Sequence, residues 1–338
     1  MDFTPSICTL SVFLALVVWV FVRRSNEPEL PLTCPMLLRN NKNLVPRLIQ
    51  DRTTYVWMYW DHTPLPSTVD LCHRNWARMA SSSSTSFSVI LVTQKTLSNF
   101  IDADAHPCLS NKNTNWRALR SDFIRLSLLH RFGGVYMDAT CILTENLDWV
   151  ATDDGLQCFQ AYYNPRNMTL GCHKPVIENS FLVAPAAHPF VTQWLATLSE
   201  LRTCDEEGIE RALGNTPTQV HMKRYYHFAY HCVTKMLSKH RLDDYAPYRL
   251  RTVASGKYLN FLNQTVHDLS TKGATVAHGP VLKLIAFERE DLEARLSVPL
   301  DGGASDVPNV QTGSFIWKYL LAGHAEPQSS SLWPASSS

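Results

Sequence analysis

A short stretch of the chain, residues 121–140, combines two carboxylates, a guanidinium and a glycine pair at fixed spacings. Asp122 and Arg125 are three positions apart, so on a helix they share one face. Asp138 ends a short apolar run, which places its carboxylate at the mouth of a predicted strand. Carboxylate oxygens are hard ligands that select magnesium or manganese, and a divalent cation neutralises charge on a phosphate leaving group. These residue types suit chemistry on a phosphorylated substrate.

The order of residues in this stretch reads SDxxRxxxLxxxGGxYxDxT. It resembles the sugar-binding region of glycosyltransferases with a DXD motif, and more closely the branch similar to capsular polysaccharide synthesis proteins, whose strand ends in Asp-Ala-Thr. Residues 55–61 with the following helix, and residues 180–184, look like the first strand and helix and the mid-domain strand of that branch. The likeness covers most of residues 50–240. Each piece alone is a common ion pair or helix stop, so their joint order carries the resemblance.

The resemblance implies an enzyme, a hexosyltransferase that moves a sugar from a nucleotide-sugar donor to a glycan, lipid or protein acceptor. It also implies retention of anomeric configuration. Asp138 is then the metal-site carboxylate, Asp122 accepts hydrogen bonds from sugar or ribose hydroxyls, and Arg125 steadies Asp122 or a phosphate. We therefore predict Asp138 and Asp122 as catalytic residues and Mn²⁺ or Mg²⁺ as the cofactor. The residues mark no nucleophile or base.

Further residues complete the predicted donor pocket. Gly133 and Gly134 permit a tight turn and a close backbone approach between helix and strand, and Tyr136 belongs to the same pattern. Trp60 and Asp61 follow the first predicted strand, where they are expected to hold the base by stacking and hydrogen bonding.

The second carboxylate of the DXD motif is replaced by Thr140. A threonine supplies a hydroxyl or acts through water, so the pattern admits a metal held by fewer protein ligands or a ligand supplied from elsewhere. Glu145, Asp148 and His278 are candidates for that ligand. The predicted metal site is Asp138, with Thr140 and His278 as weaker members.

The surrounding elements must bring these residues to one edge of a sheet. Apolar and aromatic runs predict strands at 55–60, 87–92 and 135–137, and periodic apolar residues predict helices at 66–79 and 116–130. Strands alternating with helices favour a mostly parallel sheet that binds ligands beyond the carboxyl ends of its strands. We predict an α/β fold, a GT-A-like (Rossmann-like) nucleotide-sugar-binding domain with a mostly parallel mixed sheet.

The second half of the chain is less regular. A strand is predicted at 180–185, and helices are predicted at 190–201 and 225–237. Ser67 is the predicted cap of the first helix.

The chain divides by composition into four parts. An apolar run with no small-x-small cleavage site before the following arginine pair predicts a signal anchor, one N-terminal transmembrane helix, over residues 1–24. Prolines and polar residues at 25–50 suit a stem or entry loop. The GT-A-like domain is predicted over 51–325, and a loose polar tail over 326–338.

The predicted anchor makes the membrane a partner, with two opposing indications of its orientation. Arg23 and Arg24 follow the apolar run and Asp2 precedes it, which favours a cytosolic domain. Glycosylation acceptor patterns at 167–169 and 263–265 favour the secretory pathway. We predict a single-pass membrane protein of the Golgi or ER with a lumenal catalytic domain.

Composition excludes several other classes. The formal net charge is +1 and no basic run occurs, so nucleic acid is excluded as a partner. The nine cysteines show no CxxC spacing, which argues against a zinc or thioredoxin-like site. Eight of them lie outside the apolar segment, compatible with disulfides in an oxidising compartment or with buried thiols.

Three rival interpretations stay open at this stage. The first is a non-catalytic relative that binds a nucleotide sugar or a glycan, which Thr140 favours. The second is a transferase of sugar phosphate or phosphocholine in surface-glycan assembly. The third is a purely structural membrane-attached protein, which leaves the pattern at 121–140 unexplained.

Overall fold

A computed structural model describes residues 53–102, 104–111, 116–150, 152–160, 177–216, 224–241, 244–245, 247–252, 265–272, 280–297 and 309–322. The predicted anchor at 1–24, stem at 25–50 and tail at 326–338 lie outside these ranges, as do His278 and the asparagines of both glycosylation patterns. Within the described ranges, no helix combines the length and apolarity needed to cross a membrane.

The strands are β1 Thr54–Trp60, β2 Phe87–Thr93, β3 Gly134–Asp138, β4 Cys141–Leu143, β5 Leu156–Gln160, β6 Ile177–Ala184, β7 Tyr248–Thr252 and β8 Val281–Lys283. The helices are α1 Ser67–Ser81, α2 Pro107–Ser110, α3 Arg117–Phe132, α4 Pro189–Leu198, α5 Glu206–Leu213, α6 Phe228–Lys239, α7 Val266–Thr271 and α8 Ala286–Leu296. A 3-10 turn covers Leu97–Asn99 and a π turn covers Trp317–Leu321.

The main sheet has six strands in the order β2-β1-β3-β6-β5-β7. Strand β1 runs parallel to both β2 and β3, and β5 runs parallel to β7. Strand β6 is antiparallel to its two neighbours, β3 and β5. The predicted α/β class and mostly parallel mixed sheet are therefore confirmed, and the reversed β6 brings its own beginning to the edge where β1 and β3 end.

Helix α1 begins one residue later than predicted and without the predicted serine cap. No side chain of its own first turn caps it. Instead, the Glu293 carboxylate of α8 accepts hydrogen bonds from the Ser67 amide at 2.8 Å and the Thr68 amide at 2.7 Å. A carboxylate at a helix N-terminus satisfies free amides and complements the helix dipole. The cap thus comes from a residue near the other end of the chain.

The small sheet of β4 and β8 is fixed against α1. The Trp76 indole donates to the Cys141 carbonyl at 2.7 Å, and the Asn75 side chain exchanges hydrogen bonds with the backbone of Leu143 at 2.8 and 3.0 Å. Trp76 and Asn75 are buried. Because β8 pairs with β4, Cys141 opposite Lys283, this anchoring also determines where the end of β8 lies.

A disulfide joins Cys108 of α2 to Cys204 across 96 residues. Among the described cysteines, four others are free and buried, namely Cys72, Cys141, Cys158 and Cys232. The two possibilities that the composition left open, disulfides and buried thiols, both occur.

Candidate active site

A cleft of about 800 Å³ opens at the edge of the main sheet where β1 and β3 end. The register places Tyr59 of β1 opposite Asp138 of β3. Because β6 runs the other way, its first residues, Glu178 and Asn179, line the same cleft. The predicted residues Asp122, Arg125, Tyr136, Asp138, Thr140, Trp60 and Asp61 all line it.

Arg125 lies at the centre of a buried ionic network in this cleft. Its guanidinium donates to Asp122 Oδ1 at 2.7 Å and to Asp138 Oδ1 at 2.6 Å. The same guanidinium stacks 4.8 Å from the centre of the Tyr136 ring, and Asn179 Nδ2 donates to Asp122 Oδ1 at 2.9 Å. The predicted helix-face pair therefore exists, and together with the strand-end carboxylate it forms part of the cleft lining.

Lys283, at the end of β8, supplies the second cation of the network. Its Nζ lies 3.2 Å from Asp138 Oδ2 and 3.3 Å from Glu178 Oε1. The Tyr230 hydroxyl also donates to Glu178 Oε1 at 2.7 Å. Asp138 is thus contacted by one cation at each of its two oxygens.

Burial and these partners act in opposite directions on the ionisable groups. Burial raises the pKa of Asp122 above its usual range, although Arg125 opposes the shift. Burial on its own would raise the pKa of Glu178, but Lys283 and the hydrogen bonds from Tyr230 and Ser180 together outweigh it, so its pKa falls to about 2. Glu178 is ionised at neutral pH, whereas burial favours a proton on Asp122.

The other end of the cleft is built around Asp61. Arg117 Nε lies 3.0 Å and Arg120 Nη2 lies 3.3 Å from its Oδ2. The Arg289 guanidinium stands 5.6 Å from the ring centre of Trp60. This end therefore offers an indole face and several cations to a ligand, while the Asp61 carboxylate already has cationic partners.

Gly133 and Gly134 do not line the cleft. They lie at the beginning of β3, the end away from Asp138, and both have positive φ. A Cβ on Gly134 would come 2.4 Å from the Tyr55 carbonyl oxygen, and the Gly133 carbonyl accepts a hydrogen bond from the Trp57 indole at 2.8 Å. The predicted close backbone approach is present, and it positions the strand from the far side.

The described side chains do not fit the metal site that the sequence predicts. Divalent magnesium and manganese prefer several oxygen ligands, but both oxygens of Asp138 contact cations. The Thr140 hydroxyl donates to the Leu284 carbonyl at 2.8 Å. Across the described ranges, no three His, Cys, Asp or Glu side chains are grouped to hold a metal ion.

The alternative metal ligands do not supply the missing oxygens within the described residues. Glu145 and Asp148 are exposed and do not line the cleft. Asp148 instead accepts hydrogen bonds from the Ser84 amide and hydroxyl at 2.6 and 2.8 Å.

Exposed aromatic residues mark the cleft mouth. Tyr226 and Phe287 are more than half exposed and line the cleft. Large apolar side chains in this position leave an uncovered surface suited to ligand contact.

Sequence reasoning missed Glu178, Asn179, Tyr230 and Lys283. The predicted strand at 180–185 started three residues too late, so the two polar residues at the start of β6 were not considered. Strand β8 has three residues, and its segment carries no period that distinguishes it from a loop. The sequence did contain one indication of a short strand that ends in a charged residue, because Lys283 directly follows the apolar residues Val281 and Leu282.

The model of the family described as capsular polysaccharide synthesis protein matches residues 37–268, more than half of the chain. The chain belongs to this family. The resemblance stated from residues 121–140 is thereby confirmed.

Two curated relatives of this capsular polysaccharide synthesis family member are fungal proteins. A probable glycosyltransferase, FCK3 of Fusarium pseudograminearum (strain CS3096), is 26% identical over 187 residues, covering 50% of this chain and 45% of the relative. The O-glycosyltransferase braB of Annulohypoxylon truncatum is 26% identical over 157 residues, covering 43% and 37%. The matches thus span less than half the length of these relatives.

Solved structures are similar at a lower level. A glycosyltransferase involved in glycosylation of the major capsid of PBCV-1 matches 71% of this chain and 99% of its own, with 8% identity and a TM-score of 0.35. The galactosyltransferase LgtC, in complex with donor and acceptor sugar analogs, matches 73% and 98%, with 7% identity and a TM-score of 0.37.

Proposed function

We propose that the chain is a glycosyltransferase whose GT-A-like domain moves a sugar from a nucleotide-sugar donor to a glycan, lipid or protein acceptor. The observation that carries the proposal is the network of Arg125 and Lys283 with Asp138 and Glu178 on the floor of a cleft, in a member of the capsular polysaccharide synthesis family. A cleft of about 800 Å³ is within the range that accommodates small-molecule ligands.

The proposed reaction breaks the bond between the anomeric carbon and the diphosphate. The bonding electrons go to the phosphate oxygen, and the acceptor hydroxyl oxygen forms the new bond to the anomeric carbon. Fixed cations next to the departing diphosphate stabilise the charge that develops there, since a preorganised site needs no reorganisation during reaction. Arg125 and Lys283 are in place for this role. The family resemblance adds retention of configuration, with the donor phosphate taking the acceptor proton.

The ends of the cleft suggest where donor and acceptor bind. The Trp60 face and the cations around Asp61 suit a nucleobase and its phosphates. The exposed rings of Tyr226 and Phe287 suit the apolar face of an acceptor. These assignments support a donor lying along β1 and an acceptor entering over α6 and α8.

The described side chains around Asp138 bear on whether the reaction uses a metal ion. The resemblance implies Mn²⁺ or Mg²⁺, but the described oxygen ligands around Asp138 do not fit either ion. The charges that act on the donor in the proposed reaction are therefore those of the protein's own side chains, and metal is one of the conditions varied in the functional test.

We also propose that the domain is lumenal in the Golgi or ER, attached by the N-terminal apolar segment. The Cys108–Cys204 disulfide supports an oxidising compartment, because such bonds are rare in the cytosol. Protease protection of sealed microsomes tests this placement. Digestion of the intact domain by protease added outside the vesicles would refute it.

The functional test is a screen of UDP- and GDP-sugars for donor hydrolysis and transfer, each with manganese, magnesium or chelator. Asp138→Asn removes the charge with little change of shape, so we expect it to lower kcat by about 10²-fold because Arg125 and Lys283 lose the carboxylate that holds them. Asp153→Asn is the matched control, since Asp153 is an exposed partner of Arg249.

The screen also separates the rival functions. The proposal is supported if the unchanged protein and Asp153→Asn both cleave one donor and Asp138→Asn does not. Binding of a donor without turnover under all conditions favours a non-catalytic relative. A product heavier by a sugar phosphate or by phosphocholine identifies the other transferase class.

A further inference from the structure

Lys283 occupies a position between two carboxylates that belong to different strands. Its Nζ is 3.2 Å from Asp138 Oδ2, at the end of β3, and 3.3 Å from Glu178 Oε1, at the start of β6. The side chain is 19% exposed and lines the cleft. The Lys283 ammonium therefore occupies the position, between two strand-end carboxylates and open to the cleft, from which a bound cation would act on a substrate.

The ammonium keeps its charge in this position. Two carboxylates, Asp138 and Glu178, lie within 3.3 Å of its Nζ and favour the charged form. An ammonium has three N–H donors. The two carboxylates account for two of them, which leaves a donor for a ligand in the cleft.

Thr140 has a structural role that explains its place in the pattern. Its hydroxyl donates to the Leu284 carbonyl at 2.8 Å, and its own carbonyl accepts from the Leu284 amide at 3.1 Å. Leu284 directly follows Lys283. Thr140 stands where the DXD motif has its second carboxylate, so the site has one negative charge fewer. Its two hydrogen bonds to Leu284 hold the segment that carries Lys283 beside Asp138.

We propose that Lys283 is a further catalytic residue, whose ammonium binds the diphosphate of the donor and supplies the positive charge that a divalent cation was expected to supply. The inference rests on the proposed function and names the cation of the same site. As the bond to the anomeric carbon breaks, the electrons pass to the diphosphate oxygen beside this ammonium. Lys283 stays protonated throughout, and the acceptor proton goes to the departing phosphate.

The charge balance of the site agrees with an internal cation. Asp138 and Glu178 would repel a diphosphate if they stood alone, but Lys283 contacts both and Arg125 contacts Asp138. Replacing Lys283 by methionine leaves two carboxylates facing the cleft with one fewer cation. That arrangement gains the oxygen ligands that manganese prefers, so the variant is expected to acquire a metal response that the unchanged protein lacks.

The experiment uses the full chain with Lys283→Met, Lys283→Arg and the control Lys272→Met, whose side chain is 73% exposed and pairs with Asp268. Steady-state turnover is measured in chelator and across a manganese titration. Calorimetry measures UDP and GDP binding under the same conditions, and manganese binding is followed by its paramagnetic resonance signal. Thermal unfolding of each variant identifies any that fail to fold, in which case Lys283→Arg carries the comparison.

We expect the unchanged protein and Lys272→Met to turn over donor in chelator. Lys283→Met should lose about 10²–10³-fold in kcat there, the range for removing one preorganised donor. It should also bind UDP or GDP at least about tenfold more weakly, and manganese should bind it and restore part of its turnover. Lys283→Arg should retain more activity than Lys283→Met.

Other results overturn the inference. It is refuted if chelator abolishes turnover of the unchanged protein and manganese restores it, or if Lys283→Met keeps normal turnover and nucleotide binding. It is also refuted if the unchanged protein binds neither UDP nor GDP in chelator. If the protein binds either nucleotide through Lys283 in chelator but turns over no donor, the proposed function fails while the diphosphate contact of Lys283 stands.

Discussion

Removing Arg125 tests whether the buried network is an ionic unit, as its geometry indicates. Arg125 is 3% exposed and donates to Asp122 and Asp138 at 2.7 and 2.6 Å. In Arg125→Met, Asp138 keeps Lys283, whereas Asp122, which is 6% exposed, keeps the side-chain amide of Asn179 as a hydrogen-bond donor. Breaking a buried pair by removing one partner costs about 3–5 kcal/mol, because a charge is left uncompensated.

That loss corresponds to a fall in Tm of about 6–20 °C, since 1 kcal/mol shifts Tm by about 2–4 °C in a domain of this size. Adding Asp122→Asn removes the uncompensated charge. The double variant is therefore expected to be about 1–3 kcal/mol more stable than Arg125→Met alone. The exposed pair of Arg74 with Asp70 provides the control, because Arg74→Met should cost less than about 1 kcal/mol.

The pH dependence of the free energy of unfolding tests the same prediction by a second, independent measurement. Burial raises the pKa of Asp122, and loss of the guanidinium raises it further. A carboxyl whose pKa is higher in the folded than in the unfolded chain stabilises the folded state fully at a pH below its unfolded pKa. This stabilisation is lost as the pH rises through its folded pKa. The pKa of Asp122 is already about 7 in the unchanged protein, so Arg125→Met should be less destabilised relative to that protein at pH 5 than at pH 8 by up to about 1.4 kcal/mol, the value of one pKa unit.

Urea unfolding at both pH values measures each difference from the midpoint and slope. The reasoning fails if Arg125→Met lies within about 1 kcal/mol of the unchanged protein at pH 8. It also fails if adding Asp122→Asn gives no recovery, or if the loss is the same at both pH values.

Two further predictions concern stability. Gly134→Ala forces a Cβ to 2.4 Å from a β1 carbonyl at φ +95°, so it should cost more than about 3 kcal/mol. Gly313→Ala, at φ +83° in open space, should cost only about 1 kcal/mol, and equal melting temperatures of the two would contradict the packing argument. Burial lowers the pKa of His106 to about 4, so stability is lost as pH falls from the unfolded pKa of about 6.5 towards 4. His106→Asn keeps a hydrogen-bond acceptor at the start of α2. In urea unfolding, this variant should lose about 1–2 kcal/mol less stability between pH 7 and pH 5 than the unchanged protein. An equal loss of stability in both proteins would exclude His106 as its source.

Local signals in the sequence were sufficient for the part of the site formed by α3 and β3. The period of α3 and the glycines after it predicted a helix, a turn and a strand ending at Asp138, and these elements are contiguous in the chain. Hydrophobic period and glycine chemistry act over a few residues. The spacing of Asp122 and Arg125 predicted their contact for the same reason.

The partners from distant segments could not be predicted in this way. The direction of β6 is set by its pairing with β3 and β5, so the sequence does not say which end of that strand meets Asp138. The position of Lys283 depends on β8 pairing with β4 and on the contacts of β4 with Trp76. A single sequence without an alignment carries no record of such pairings. The metal was expected at Asp138 because the sequence did not show that Lys283 contacts this carboxylate.

Through Glu293, α8 supplies the cap of α1, although the two helices lie at opposite ends of the part of the chain that the structure describes. Until α8 has been synthesised, the opening amides of α1 lack the carboxylate that accepts from Ser67 and Thr68 in the folded protein. The segment that carries Lys283 directly precedes α8, so the same late part of the chain completes both the first helix and the cation pair. A chain that ends before β8 would therefore lack both the carboxylate that caps α1 and one of the active-site charges.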